Sequence, residues 1–585
     1  MAVNPLAPGV YIDEISVFPP SVAPVATAIP AFIGYTEKGP LNAPTRITSL
    51  LEYEQVFGGP FKEQFDITLT GPSTAPDDTT IAISNSPALT KYSIHYQLQM
   101  FYANGGGPCY IVAVGLYNLI TPAITATDFT NSGVGIDVAE KVDEVTLLVV
   151  PEAIYMSHAD RKTVYDKMLL QCANLKDRFA ILDAEVHAPH VSVFDDANGP
   201  SGFRSADVSS NNLKYGAAYY PSLDTVIGRL YLDSQVDITD SRTGGPFTGK
   251  KLTAISGGTA ATATYQIISF SGNVGDTLAI GSTVFTAIAS GIPGPTDYLS
   301  VSTDQVAAQN LASTVNAHPV ASQYVTATVV NDTVTFTAKN PATLGTAIAF
   351  IYTDAGSGGA IPVPNTGTMA GGGVSPDVAL YNRIKALLAE YRLTLYPCGA
   401  MAGIYANVDR DRGVWKAPAN VSVLNIIKPS LFVTSDEQEV LNVDATSGKS
   451  INAIRTFAGK GDLVWGARTL AGNDNEWRYV PVRRLFIFAE ESIGKASEFV
   501  VFEPNDRNTW TRVKTLIANF LTNLWRDGAL AGATPDDAFF IKVGLGETMT
   551  PQDILEGKMI IQVGMAAVRP AEFIILEFMH KLQES

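Results

Sequence analysis

Val145-Thr-Leu-Leu-Val-Val150, then a helical pattern over Ala159–Leu175, then Phe179-Ala-Ile-Leu182: this order decides the fold class. A short continuous apolar run is a strand buried on both faces, and strand, helix, strand in succession predicts an α/β layer joined by a crossover. Working outward, Ser375-Pro376-Asp377 predicts a helix start with Ser375 as N-cap, and Tyr381, Ile384, Leu387, Leu388 and Tyr391 share its face. Residues from about 243 to 374 differ in composition, being rich in Thr, Ala, Ser and Gly and closing on Gly371-Gly-Gly373. Within them Val325–Val330 and Thr333–Ala338 flank Asn331-Asp332, which predicts a two-residue hairpin with Val329 opposite Val334 and Ala327 opposite Phe336. Leu278–Ile280 and Thr283–Phe285 flank Gly281-Ser282 in the same way, and Ser302 is the expected cap of a helix through Val306, Leu311 and Val315. This stretch is expected to be an inserted, β-rich domain on the outer surface, hung on Gly-rich linkers.

The two ends differ again. Residues 1–30 carry Pro5, Pro8, Pro19, Pro20, Pro24 and Pro30 around Val10-Tyr11-Ile12-Asp13-Glu14-Ile15, an extended arm that stretched out reaches on the order of 80–100 Å. Met559–Val568 and Phe573–Phe578 are rich in strand formers and are split by Arg569-Pro570, which reads as two strands with a break. The domain plan is an arm over 1–30, a core over 31–242 with an α/β part at about 130–240, the insert at 243–374, a second core part at 375–555, and a C-terminal arm at 556–585.

At 585 residues the chain is expected to form several domains. Charged residues are 17% against a usual quarter, hydrophobic residues reach 46%, and there are 49 Gly and 34 Pro. That composition suits a loop-rich folded protein much of whose surface partners cover. A net charge of -17 with no Lys/Arg run argues against a nucleic-acid partner. Cys109, Cys172 and Cys398 are far apart and odd in number, which fits buried free thiols in a reducing compartment. No export segment or bilayer-length apolar run is read, so assembly in the cytoplasm and release by lysis are expected.

Motifs for chemistry are weak. His187-x-x-His190 is broken by Pro189, Gly448-Lys449-Ser450 has Val443 where a phosphate loop needs its first Gly, and Gly544-Leu-Gly546 has Met549 in place of a third Gly. Asp195-Asp196 and Asp536-Asp537 read as turn residues. No catalytic, cofactor-binding or metal-ligating residue is assigned, and an enzyme is not expected.

Two further strings carry a resemblance. Gly403-Ile-Tyr-Ala-Asn-Val-Asp409-Arg410-Asp-Arg-Gly413-Val-Trp415-Lys416-Ala-Pro418-Ala-Asn420 is the first. The second runs from Ile451-Asn-Ala-Ile-Arg455 through Val464-Trp465-Gly466-Ala467-Arg468-Thr469-Leu470 to Trp477-Arg-Tyr-Val-Pro-Val-Arg483-Arg484. With Pro8–Glu14, Ala31–Pro40, Phe101–Gly107 and Val563–Phe573, they resemble the contractile tail sheath family, covering most of the chain outside 243–374. The resemblance implies an α+β multidomain subunit that polymerises as stacked sixfold rings around an inner tube protein, meets baseplate and terminator proteins at the ends, and contracts. It implies strand exchange between copies, for which Val10, Tyr11, Ile12 and Ile15 at one end and Ile561, Val563, Phe573 and Ile575 at the other are the candidates. It also implies a tube-facing helix. The helix expected over Thr509–Trp525 buries Trp510, Val513, Ile517, Phe520, Leu521 and Leu524, leaving Arg512, Lys514 and Arg526 as candidate tube contacts. Phage tail and phage-derived injection particle remain open alternatives. A secreted adhesin or surface-layer protein would explain the insert and the acidity but not the Trp415–Asn420 string.

Overall fold

Strands buried on both faces need cover on both sides, and the chain meets that need with one large mixed sheet. The computed structural model describes residues 22–71, 79–85, 91–118, 123–185, 202–242, 245–257, 261–339, 348–356, 359–363, 369, 377–444 and 446–575. In chain order the sheet strands are β1 (Pro30–Thr36), β2 (Thr45–Ile47), β3 (Cys109–Leu116), β4 (Leu147–Val149), β5 (Phe179–Asp183), β6 (Gly216–Tyr220), β7 (Val421–Ser422), β8 (Ile451–Phe457) and β9 (Gly461–Val464). Their order across the sheet is β2-β3-β1-β4-β5-β6-β8-β9-β7. Neighbours from β3 to β8 run parallel, while β2, β9 and β7 add antiparallel margins. Every residue of β1, β4, β5 and β6 is buried, as expected where helices cover both faces.

The strand-helix-strand reading is found in place. Between β4 and β5 lies a helix over His158–Leu175, opened by Ser157, whose side chain accepts from the Asp160 N–H, and closed by Lys176 at φ 63. Two other helices matter below. Ile94–Ala103 is α1, that second helix is α2, and Cys398–Arg412 is α3. α3 lies so close to α1 that a Cβ on Gly403 would sit 2.4 Å from the Phe101 carbonyl oxygen, and one on Gly399 2.4 Å from Gln97 Oε1. α4 (Val480–Ala496) and α5 (Arg507–Arg526) build a second core with the two-stranded sheet of β10 (Phe539–Lys542) and β11 (Gln562–Met565).

The chain divides into two compact units: Met1–Phe61, Thr90–Ile227 and Arg392–Ser585 form one; Lys62–Leu89 and Gly228–Tyr391 form the other. The second unit starts earlier and ends later than the expected 243–374 and also takes in a piece near residue 70. The reason is a small core in which Phe65, Ile67 and Leu69 pack with Val236, Ile238, Leu252, Leu380, Ile384 and Leu388. The helix of the 380s, expected to open the second core part, therefore belongs here. Its observed cap is Asp377, accepting from the Leu380 N–H, and Ser375 and Pro376 lie outside the described residues. A separate core joins residues 261–369, including Tyr265, Leu278, Phe285, Leu311, Val334, Phe336 and Phe350. Both hairpins have the expected register, Val329 facing Val334, Ala327 facing Phe336 and Leu278 facing Phe285. Thr303 rather than Ser302 caps the helix over Asp304–Ala317; Ser302 itself stands at φ 70, a backbone turn into the helix.

Candidate assembly site

Two arginines from the second sequence string hold the segments that border the expected arms. At the N-terminal root Val22 is buried with Leu485, Phe488, Val513 and Ile517 in the second core. The Val25 N–H then donates to Ser492 Oγ (3.2 Å), Arg484 donates to the Thr27 carbonyl (2.7 Å), and the Ile29 N–H donates to Thr146 Oγ1 (2.8 Å), after which β1 begins. Arg484 is fixed by a bidentate pair with Asp409 (2.9 and 2.5 Å), both side chains 5% exposed or less. Its guanidinium lies 4.6 Å from the centre of the Tyr405 ring, whose hydroxyl shares a 2.7 Å bond with Tyr219. Tyr405 and Asp409 are one helical turn apart on α3, so the first string presents a ring and a carboxylate to one guanidinium.

At the C-terminal root Arg468 holds Glu572 through Nε (2.9 and 3.1 Å) and a second nitrogen (2.6 Å), while Asn442 (2.7 Å) and Tyr479 (3.1 Å) donate to the same carboxylate. Burial raises the carboxyl's pKa, but the bonds from Arg468, Asn442 and Tyr479 and the arginine's charge outweigh it and hold Glu572 below its ordinary value. Arg468 is aimed by Asn452, which is 1% exposed, accepts from the Arg468 N–H (2.7 Å) and donates to its carbonyl (2.8 Å). Gly466 is required beside it, since a Cβ there would meet Asn452 Oδ1 at 2.8 Å. Beyond Glu572 the chain is uncovered: Phe573, Ile574 and Ile575 are 71, 79 and 84% exposed. Between this root and the helix over Ser435–Asn442 lies a groove of about 520 Å³.

The candidate exchange residues fall in three places. Val10, Tyr11, Ile12 and Ile15 lie outside the described residues. Val563 is in β11 and pairs with Ile541 of β10 in the same chain, with Ile561 just before it, so this expected strand already has one partner at home. Phe573 and Ile575 belong to no strand as far as residue 575, contrary to the strand read over Phe573–Phe578; among the described residues none pairs with them, and 576–578 lie outside the described residues. Arg512, Lys514 and Arg526 are exposed on α5, off the buried face of Val513, Leu516, Ile517, Phe520, Leu521 and Leu524, with Trp510 only half-buried beside it, and among the described residues none of the three makes an ion pair. Arg512 lies 5.2 Å from the Phe499 ring centre.

The weak motifs have structural explanations. Lys449 is buried, with Nζ donating to the carbonyls of Arg204 and Val208, so it has no phosphate-facing role. Asp537 bonds the Thr534 N–H and hydroxyl in a capping box, and the Gly546 N–H closes a turn on Met549. Cys109, Cys172 and Cys398 are all buried, and burial pushes the Cys109 thiol up to about 12. His187, His190, Asp195 and Asp196 lie outside the described residues. Among the described residues His158, Glu185 and Asp207 do cluster, but Arg161 donates to both carboxylates at 2.7 Å and supplies the positive charge there. No described helix is long and apolar enough to cross a membrane.

The fold is that of contractile sheath subunits. A sheath subunit of the PVC extracellular contractile injection system in its contracted state matches over 99% of each chain with a TM-score of 0.54 and 24% identity, a likeness of fold. The contracted helical sheath of the anti-feeding prophage matches over 99% of this chain and all of that one, with a TM-score of 0.51 and 26% identity. Residues 472–580 match the family model described as the phage tail sheath C-terminal domain. The tail sheath protein of Vibrio phage KVP40 is 26% identical over 181 residues, 31% of this chain and 26% of that protein. That of Enterobacteria phage T4 is 27% identical over 124 residues, 21% of this chain and 18% of that one. The chain thus spans about a quarter or less of the length of these curated relatives.

Arg468, Glu572, Asp409 and Arg484 all stand in the strings quoted from the sequence, yet no role was read for them. The available signal was charge among small and apolar neighbours, since buried charges persist only when paired.

Proposed function

We propose that this chain is the repeating subunit of a contractile sheath, stacked as sixfold rings around an inner tube, which shortens to drive the tube through a target envelope. The observation that carries the reading is the clasped Glu572 with Phe573–Ile575 uncovered beyond it, on a fold matched along its length by a contracted sheath. A sixfold-symmetrised baseplate of the anti-feeding prophage contains a chain 26% identical to this one, which favours the same ring order. Val10–Ile15 of one copy and Phe573–Ile575 of another add to the sheet of β10 and β11, each of which has one partner among the described residues. Backbone hydrogen bonds carry such an addition whatever the side chains. Arg512, Lys514 and Arg526 face the tube, and exposed charges of this kind part readily because each pair is weak. The 261–369 module stays outside the lattice, and the subunit performs no catalysis, binds no nucleic acid and is assembled in the bacterial cytoplasm into a phage tail or phage-like particle. The test is deletion of residues 1–21, which leaves Val22 and its packing intact. Folded monomers that form no sleeves in negative stain are expected; sleeves of normal length would refute strand exchange by this arm.

A further inference from the structure

One loop of the chain exposes what a folded monomer ordinarily buries. After α4, Phe499 packs against the second core, but three residues later Phe502 is 103% exposed and Val501 60%. Phe502 stands at φ 69, a left-handed conformation that is a true outlier for a bulky side chain. The loop is nevertheless well tied. The Val501 N–H donates to Glu498, Glu503 to Val500 and Asp506 to Pro504 (2.9–3.1 Å). Asn505 accepts from Trp510 Nε1 (2.6 Å) and donates to the Lys558 carbonyl (2.9 Å). A strained, protruding and preorganised aromatic has the character of an interface anchor.

The same unit holds a receptor of matching chemistry. The 520 Å³ groove has apolar walls from Trp465, Ala467, Pro570 and Ala571, and Arg455 lines it as well. That guanidinium donates only to neutral oxygens, Gln438 Oε1 (2.6 Å) and Ser435 Oγ (3.4 Å). Its Nε is buried without a partner, and among the described residues no carboxylate lies within ion-pair distance. Lys416, Glu439 and Glu572 line the groove too, with Glu572 already held by Arg468, and Glu437 acts on Arg455 through space, so the groove suits a large apolar side chain with a carboxylate directed at the Arg455 end. Phe502-Glu503 is such a pair, with Glu503 exposed.

We propose that Phe502-Glu503 of one copy docks into the Trp465–Arg455 groove of a second copy. Knob and groove at different places on one chain make a head-to-tail contact, the kind that propagates as a helix. The inference rests on the sheath reading above and adds to it a contact between folded bodies, distinct from the exchanged arms.

Full-length chains carrying Phe502→Cys, Ala571→Cys or Tyr11→Cys, each with its own tag, are mixed in pairs, assembled and mildly oxidised. A disulfide between the Phe502→Cys and Ala571→Cys chains is expected. Sleeves in which Ala571→Cys couples to Tyr11→Cys instead, or in which Phe502→Cys couples to nothing or to the inner tube, overturn the proposal. Separately, Phe502→Gly should melt at the same or a higher temperature as monomer, because the left-handed strain is relieved. It should raise the concentration needed for assembly at least tenfold, as should Arg455→Gln. Unchanged assembly in both variants overturns the contact while leaving the sheath reading standing; a wild-type chain that never polymerises removes the sheath reading and this contact with it.

Discussion

Replacing Glu572 by Ala should release the segment around Glu572 without unfolding the chain. The carboxylate takes three contacts from Arg468 and one each from Asn442 and Tyr479, with side-chain exposures of 20% for Glu572 and 4% for Arg468. A hydrogen bond to a charged group contributes about 1.5–3 kcal/mol, and breaking a fully buried pair costs about 3–5. Part exposure places this loss at about 2–3 kcal/mol. The nearest backbone bonds before the clasp run from the Ala566 N–H to Ala538 (2.8 Å) and from the Val568 N–H to Ala529 (3.2 Å). Since each 1.4 kcal/mol is tenfold in the opening equilibrium, hydrogen exchange at these two amides should quicken by roughly 30–150-fold. Glu572→Gln keeps the shape and one acceptor and should give about a tenth of that acceleration, and Arg468→Lys, which cannot form the bidentate pair, should lie between. Because the native state holds Glu572 below its ordinary pKa, the clasp is complete above the unfolded value near 4 and is lost as pH falls through the lower folded one. Exchange rates within twofold of wild type in Glu572→Ala would show that the root is held by packing and not by this pair.

Arg484→Met leaves Asp409 buried and unpaired and should cost about 3–5 kcal/mol in urea unfolding, with Asp409→Asn restoring part of it in the double variant. Gly403→Ala drives a methyl against the Phe101 carbonyl and Asn104, so α3 must move off α1; a loss of about 1–3 kcal/mol is expected in the same assay. Burial raises Asp183 to about 7 and Glu152 to about 8, against the pull of the backbone N–H bonds each accepts. With folded pKa values above the unfolded ones, stability is greatest below about pH 4 for these two groups and declines as pH rises towards 7–8. Urea midpoints measured from pH 5 to pH 8 should show a decline that Asp183→Asn lessens.

The parts of this fold written in local periodicity were legible in the sequence. β4, α2 and β5, both hairpins of the second unit, and the buried face of α5 are set by apolar spacing and turn residues within a few positions, so one stretch carries its own answer. Unit boundaries were not, because Phe65, Ile67 and Leu69 join Leu380 and Ile384 across some 300 residues of chain, a pairing no local pattern encodes. The helix of the 380s had the right face but the wrong partner for that reason. β11 was read as a strand, but a strand does not name its neighbour; Val563 turns to Ile541 within the chain. The arginine clasps sat in plain view inside the recognised strings, yet which carboxylate each would find depended on the tertiary fold. Phe502 carried no signal at all, since an aromatic residue in an apolar run reads as core until exposure and φ are known.

Charge burial then separates what can part from what cannot. Arg512, Lys514 and Arg526 are exposed, so any contact made through them is screened by salt and contributes little alone. Arg468 with Glu572 and Arg484 with Asp409 sit where water is scarce, and separating either leaves a buried charge uncompensated. Such pairs add little net stability over an apolar equivalent, so their value lies in geometry: two planar bidentate contacts fix the course of the chain at Thr27 and at Glu572. The sheath function proposed above calls for that combination: clasped segments fixed in direction, and weak, salt-screened contacts elsewhere on the surface.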